Sequence, residues 1–404
     1  MQEGIRMRRW FAAFATLAVG ACTIIPDSKP PSPLEPVPEA AVPSASYLEI
    51  SKGQRVGALD IGREDADQAL AAFVASCDWL TRKEDRSGLT VPTDWEPACT
   101  AARTWPYNGG RAFFEGYFEA ARISDGKAFA TGYFEPEIDG SRTRRPGYDV
   151  PVYRVPDDLV RGWPDEIPES ERTGRAPLGR IDGNGRHVPY YTRAEIEDGA
   201  LAGRGIEIAW AKDPIEMFFL QIQGSGLLRL PGGEIMRIGY AGQNGRGYTG
   251  IGGVMRERGL IGDGPGQYPG SMQGIVRYLR ENPEEGRALM RSNESWIFFR
   301  ELTTDGPLGS LGIPVRRGNS VAVDPNFVPY GAPVWLDLDR DVADGLWIAQ
   351  DTGGAIKGAN RFDTFWGNGG DAAEIAGAMS ARGEALVLLP VGVVDRLNAR
   401  QPPR

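Results

Sequence analysis

Ser320–Asp337 (SVAVDPNFVPYGAPVWLD), Leu346–Gly358 (LWIAQDTGGAIKG) and Asn360–Gly367 (NRFDTFWG) each place an aspartate where a strand-like run meets a turn: Asp324, Asp351 and Asp363. Apolar alternation before Asp324 and Asp351 reads as strand. The Pro or Gly that follows halts each strand, so that its carboxylate lands at the rim of a sheet. Rims and their loops are where sites are built. The chain holds a single histidine, His187. A Ser-His-Asp triad, a His-rich zinc site or a His general base is therefore hard to assemble, and acid–base chemistry falls to carboxylates.

Outward from these stretches, 404 residues that are 41% hydrophobic bury a real core and favour two or three domains. The net charge of -9 argues against nucleic acid as a partner, because phosphate neutralisation needs a basic face. Gly 54 and Pro 31 break the apolar runs into short pieces, which predicts a mainly β architecture with some helix, an α+β class.

At the N-terminus, Arg6, Arg8 and Arg9 precede an apolar stretch from Trp10 to Ala21 that is too short to span a bilayer and reads as an export signal. Val19-Gly20-Ala21-Cys22 resembles a bacterial lipoprotein box, in which Cys22 becomes the acylated first residue; ordinary secretion with cleavage near Ala21 is the alternative. Residues 1–22 are thus assigned to signal and lipobox, and the proline-dense residues 23–46 to a semi-extended tether. In an exported chain Cys77 and Cys99 suit a disulfide, with two buried thiols as the alternative.

Helical periodicity marks 65–80, with Leu70, Phe73, Val74 and Cys77 on one face, and again from Arg111, with Phe114, Tyr117 and Phe118. From Ala128 the texture turns to strands and loops, which places a domain boundary near Glu135. Strand texture continues through IEIAWAKDPIEMFFLQIQGSGLLRL, a PGG hairpin turn and EIMRIGYAGQ. Thr192 and Glu195 are spaced as a capping box, and helices are expected over 271–281 and 283–291. A last helix is expected from Asp371 to Gly383, with the strand ALVLLP closing the fold.

Asp351-Thr352-Gly353 is the tripeptide of aspartic peptidases, but those need two such turns and this chain has one. GRGYTGIGG from Gly245 lacks the strand and spacing of a dinucleotide loop and reads as a plain loop. Gln221, Gln223 and Ser225, read as alternating along a strand, would present amides and a hydroxyl suited to sugar hydroxyls and N-acetyl groups, or else belong to a core hairpin. Among aromatics that otherwise suit a core, Trp366 lies in a Gly-bounded turn three residues past Asp363. An exposed indole there would stack on a pyranose face.

The strings TGYFEPEIDGSRT, DPIEMFFLQIQGSG, IGYAGQNGRGY, GNSVAVDPNFVPYGAPVWL and QDTGGAIKGANRFDTFWG together resemble the A-type membrane-bound lytic murein transglycosylases, over about residues 60–390. The resemblance implies a double-psi β-barrel, here 47–135 plus 300–395 with a three-aspartate (3D) domain at about 318–390. A second, β-barrel-like domain, 136–299, is inserted, and a groove between the two holds glycan. It implies cleavage of the β-1,4 bond between N-acetylmuramic acid and N-acetylglucosamine without water, leaving a 1,6-anhydromuramoyl end. No cofactor or metal is implied. Asp363 is the implied acid–base, Asp351 its supporting carboxylate and Asp324 the third of the set; Tyr133, Gln223, Ser225, Tyr240 and Asn244 match glycan-lining strings. Peptidoglycan, cell-wall synthesis proteins and a membrane reached through the lipid are the implied partners, with the protein exported to the periplasm and held on the outer membrane of a Gram-negative cell. A non-catalytic wall-binding module similar to an expansin shares the barrel and is the alternative.

Overall fold

The computed structural model describes residues 44–400, the side chain of Arg400 excepted. Cys22, the signal stretch and all but the last few residues of the expected tether lie outside the described residues.

Helix Arg63–Leu80 carries its apolar stripe inward, and Phe73 at its centre meets Trp95, Phe113, Phe114 and Phe118 at ring distances of 5.5–6.4 Å. Gly110 opens helix Gly110–Tyr117 so close to Ala66 that a Cβ there would lie 2.4 Å from the Ala66 carbonyl oxygen. A Cys77–Cys99 disulfide fastens the first helix to helix Pro92–Ala102. Helical periodicity from Arg111 stops at Tyr117; Phe118 instead begins strand Phe118–Ile123.

These helices pack on a closed ring of strands. In order around it run Ser380–Pro390, Pro333–Leu338, Gly345–Asp351, Ser320–Val323, Arg361–Asn368 and Lys127–Glu135, which pairs back to Ser380–Pro390. Two of the pairings are parallel, Ser320–Val323 with Gly345–Asp351 and Arg361–Asn368 with Lys127–Glu135, as the crossed connections of a double-psi barrel require. Strand Ser380–Pro390 is the long member: its start pairs with Lys127–Thr131 and its end with Phe118–Ala121. It occupies the segment from which the helix was expected to continue to Gly383. The helix, Gly370–Ala378, is shorter, and a further helix, Val393–Arg400, follows the strand.

Pro136 separates barrel strand Lys127–Glu135 from Glu137–Ser141, which belongs to a second sheet. That sheet runs Ile297–Leu302, Ile235–Gln243, Ser225–Arg229, Glu137–Ser141, Glu207–Ala211, Val150–Tyr153, so it reaches three residues past the boundary placed at 299. Its cores are separate from the barrel core.

One expected strand here is a helix. Pro214–Gln223 starts with the Asp213 carboxylate accepting the Ile215 and Glu216 N–H groups, carries Pro214 in its first turn, and ends at Gly224 with φ 82°. These are strong start and stop signals. Likewise Ile251–Glu257 is a helix where GIGG reads as loop. The Thr192–Glu195 capping box and helices Met272–Glu281 and Pro283–Arg291 stand where their signals place them.

Candidate active site

Asp363 lies on strand Arg361–Asn368, directly opposite Thr131 on the parallel strand beside it. Its Oδ1 accepts the Thr131 hydroxyl at 2.5 Å, and the Thr131 oxygen in turn accepts Nη2 of Arg361 at 2.8 Å. Because the guanidinium can only donate, it occupies a lone pair of the Thr131 oxygen and turns that hydroxyl's proton toward Asp363. A proton carried by Asp363 therefore sits on Oδ2. Burial pushes this carboxyl up to about 6. The Thr131 hydrogen bond and the Arg361 charge pull it back down, and the Asp351 charge adds a smaller upward push. Arg361 is itself held over the Phe129 ring, 4.9 Å from its centre.

Asp351 ends strand Gly345–Asp351 with both oxygens engaged. Oδ1 accepts the Ser310 N–H (3.0 Å), the Ser310 hydroxyl (3.0 Å) and the Thr352 N–H (2.8 Å), and Oδ2 accepts the Tyr133 hydroxyl (2.9 Å). Burial raises this carboxyl's pKa, and the four donors oppose the rise. Burial and the neighbouring Asp351 charge hold the Tyr133 hydroxyl protonated, so it stays a donor. Its ring leans on Phe365 at 5.0 Å.

These groups open into a groove of about 720 Å³ between the barrel and the second sheet. Asp351, Asp363, Tyr133, Ser310 and the Thr352–Lys357 loop line one wall. Gln223, Ser225, Tyr240, Gln243, Tyr248 and Arg300 line the other. Tyr240 is 50% exposed and Tyr248 38% exposed. Tyr248 stands within the field of Asp363 and packs over Gly354, where an added Cβ would lie 3.4 Å from that of Tyr248. A larger cavity of about 1170 Å³ lies inside the inserted part and contains none of the three aspartates; it shares Arg193 and Gln221 with the groove wall. Among the described residues no group of three or more His, Cys, Asp or Glu is arranged to hold a metal ion.

The signature of the MltA specific insert domain matches residues 129–300, and that of the 3D domain residues 319–389. The crystal structure of MltA from Neisseria gonorrhoeae superposes with a TM-score of 0.67 at 34% identity, covering 85% of this chain and 93% of that one. The chain belongs to the MltA family. Membrane-bound lytic murein transglycosylase A of Vibrio cholerae is 35% identical over 189 residues, which span 44% of this chain and 50% of that relative. E. coli MltA crystallised with bound chitohexaose matches with a TM-score of 0.60 at 25% identity, over 85% of this chain and 93% of that one.

Within this MltA fold the expected site residues divide. Asp351, Asp363, Tyr133, Gln223, Ser225 and Tyr240 converge on the groove. Asp324 does not. It is 3% exposed, and its two oxygens accept the N–H groups of Asn326 (3.0 Å) and Gly358 (2.9 Å), so it braces the turn that ends the Thr352–Lys357 loop. Trp366 is not an exposed stacking platform. The strand runs on to Asn368, and a step of three residues from Asp363 puts the indole on the opposite face of the sheet. There it is 5% exposed, edge-on to Trp347, with its N–H on Thr364. Asn244 is fully buried. Its amide donates to the carbonyls of Tyr191 and Glu294 and its oxygen accepts the Trp296 N–H, so it fastens loops behind the groove.

Thr131, Arg361, Ser310 and Tyr248 join the site beyond the residues expected from sequence. Two of them were readable. Arg361 precedes Asp363 by two residues and Thr131 precedes Tyr133 by two, so each pair shares one strand face. Ser310 and Tyr248 reach the site from irregular loops, where no periodicity marks them.

Proposed function

We propose that this protein is a lytic transglycosylase that cleaves the β-1,4 bond between N-acetylmuramic acid and N-acetylglucosamine in peptidoglycan, with Asp363 as the single general acid and base. One observation carries the reading: of the two carboxyls in the groove, only Asp363 keeps an oxygen without a partner among the described residues. Both oxygens of Asp351 are occupied by donors, which leaves it no role as a nucleophile or as base for a water. A glycosidase pair needs both carboxyls free to react.

A lone acid suffices for an intramolecular displacement. Oδ2 of protonated Asp363 gives its hydrogen to the glycosidic oxygen as the C1–O bond breaks. The carboxylate then takes the proton of the muramoyl C6 hydroxyl while that oxygen bonds C1, leaving the 1,6-anhydro end and returning the acid to its starting form. With its carboxyl pushed up to about 6, Asp363 holds the needed proton in a useful fraction of molecules near neutrality. Asp351, whose four donors favour the charged form against the burial that raises its pKa, supplies negative potential to the oxocarbenium-like transition state.

In this reading, 47–135 plus 303–395 form the catalytic barrel and 136–302 the glycan-holding insert, whose Tyr240, Gln223 and Ser225 meet sugar rings and N-acetyl groups. The relatives named membrane-bound and the chitohexaose held by the E. coli protein support it. Acylation of Cys22 would attach the enzyme to the outer membrane from the periplasmic side.

The test is product chemistry. Murein sacculi incubated with the protein are expected to release anhydro-ended muropeptides by mass spectrometry, and Asp363→Asn to release none. Reducing ends alone would mean a hydrolase, and sedimentation with sacculi without any release would mean an expansin-like binder.

A further inference from the structure

Asp351 and Asp363 are the groove's only carboxylates among the described residues, whereas three cations line it: Arg193, Arg300 and Lys357. That is notable in a chain with a net charge of -9. The three cations are not alike. Arg193 is 2% exposed and pinned to neutral acceptors, the carbonyls of Asn293 and Ser295 and the amide oxygen of Gln221, at 2.6–2.9 Å. It is part of the wall.

Arg300 and Lys357 are exposed, one on the insert wall and one on the barrel wall, and neither has an ion-pair partner among the described residues. Lys357 does not serve Asp363, whose acting charges are Arg361 and Asp351. It is nonetheless held in place. The next residue, Gly358, donates its N–H to Asp324 and turns with φ 95°, so the buried aspartate fixes the turn that carries the lysine at the groove lip.

Sugar hydroxyls and acetamides give two unpaired cations nothing to neutralise; a carboxylate does. We propose that Lys357 and Arg300 are specificity residues that take carboxylates borne by the muramoyl residues, separating murein strands from neutral N-acetylglucosamine polymers. This rests on the reading of the groove as a murein site and extends it to which strands the groove selects. The carboxylate comes from one of two places, the lactyl group itself where no peptide is attached or the peptide stem where one is.

The test uses full-length protein carrying Asp363→Asn throughout, so that ligands stay intact. Calorimetric affinities are measured for chitohexaose, for stem-free murein strands and for stem-bearing strands. At low salt, carboxylate-bearing strands are expected to bind roughly 3- to 10-fold more tightly than chitohexaose, a margin that shrinks at high salt. Lys357→Met with Arg300→Met should erase the margin, and Lys357→Arg with Arg300→Lys should keep most of it. A full gain with stem-free strands assigns the lactyl carboxylate, and a gain confined to stem-bearing strands assigns the stem. Equal affinity for all three ligands, or a margin that survives the double Met variant, overturns the proposal. Because binding is read without cleavage, a failure of the transglycosylase reading would appear separately, in the products of the unmodified enzyme.

Discussion

The two walls of the groove are built on opposite plans. On the barrel side each reactive group is set by directed hydrogen bonds: Asp363 by Thr131, Thr131 by Arg361, and Asp351 by Tyr133, Ser310 and Thr352. On the insert side Tyr240 and Tyr248 present partly exposed rings to the groove. Proton transfer demands a donor fixed to a fraction of an ångström, and barrel strands paired on both edges supply it. Gripping a polymer demands broad surface and some give, which exposed aromatic rings supply.

Substitutions on the two walls should therefore fail differently, and the largest failure belongs to the barrel. Asp363→Asn is expected to lower the cleavage rate by about a thousandfold or more while chitohexaose still binds. A second readout fixes the environment. Because burial raises this carboxyl from 3.8 to about 6, the ionised form is the strained one in the folded protein. The native state takes up its proton at higher pH than the unfolded chain, so the strain is fully present above about pH 6 and relieved toward pH 4. Asp363→Asn should thus melt above wild type at pH 7 to 8, with the gap closing near pH 4. A gap independent of pH would remove the argument for a strained acid.

Asp351→Asn comes next. It removes an anion and sets an amide N–H₂ against donors that need an acceptor, so about a hundredfold loss of rate is expected. Since the Asp351 charge pushes the Asp363 pKa upward, the pH at which activity falls off should also move down. Thr131→Val and Arg361→Gln act in the reverse sense. Each deletes an influence that lowers the Asp363 pKa, so the fall in activity should move to higher pH. Opposite displacements in the two sets of pH–rate profiles would sharpen the contrast between supporting anion and proton-directing relay; displacement in the same direction would break it. Smallest of all is Tyr240→Ala on the other wall, expected to raise KM by about 3- to 10-fold with kcat nearly unchanged.

Much of the barrel could be read in advance because strand alternation and turn residues agree there. Asp351 is legible for that reason, as the last residue of its strand; Asp363 is the third residue of strand Arg361–Asn368, not a strand-end residue, and its role is implied only by the family resemblance. Elsewhere two local signals compete. FFLQIQ is apolar enough for a strand, yet Asp213-Pro214 before it and Gly224 after it are helix punctuation, and the punctuation won. Beside Trp366 the flanking Gly suggests a stop, but the strand continues to Asn368, and strand parity sends the indole inward. Asn244 looks like a ligand for sugar in any string, and only the fold brings the Tyr191, Glu294 and Trp296 backbones to its amide. Asp324 was correctly set at a strand end. What the sequence lacked was the Gly358 N–H that claims it.

Strand Ser380–Pro390 closes the ring by reaching back to residues laid down some 250 positions earlier. Until it is in place Lys127–Glu135 lacks one of its two neighbours, and Thr131, on which the acid leans, is unanchored on that edge. Polypeptide made from its N-terminus therefore holds every residue of the groove before the ring that positions them can close. A truncation that deletes this one strand would leave every aspartate present and the wall that aims them unassembled.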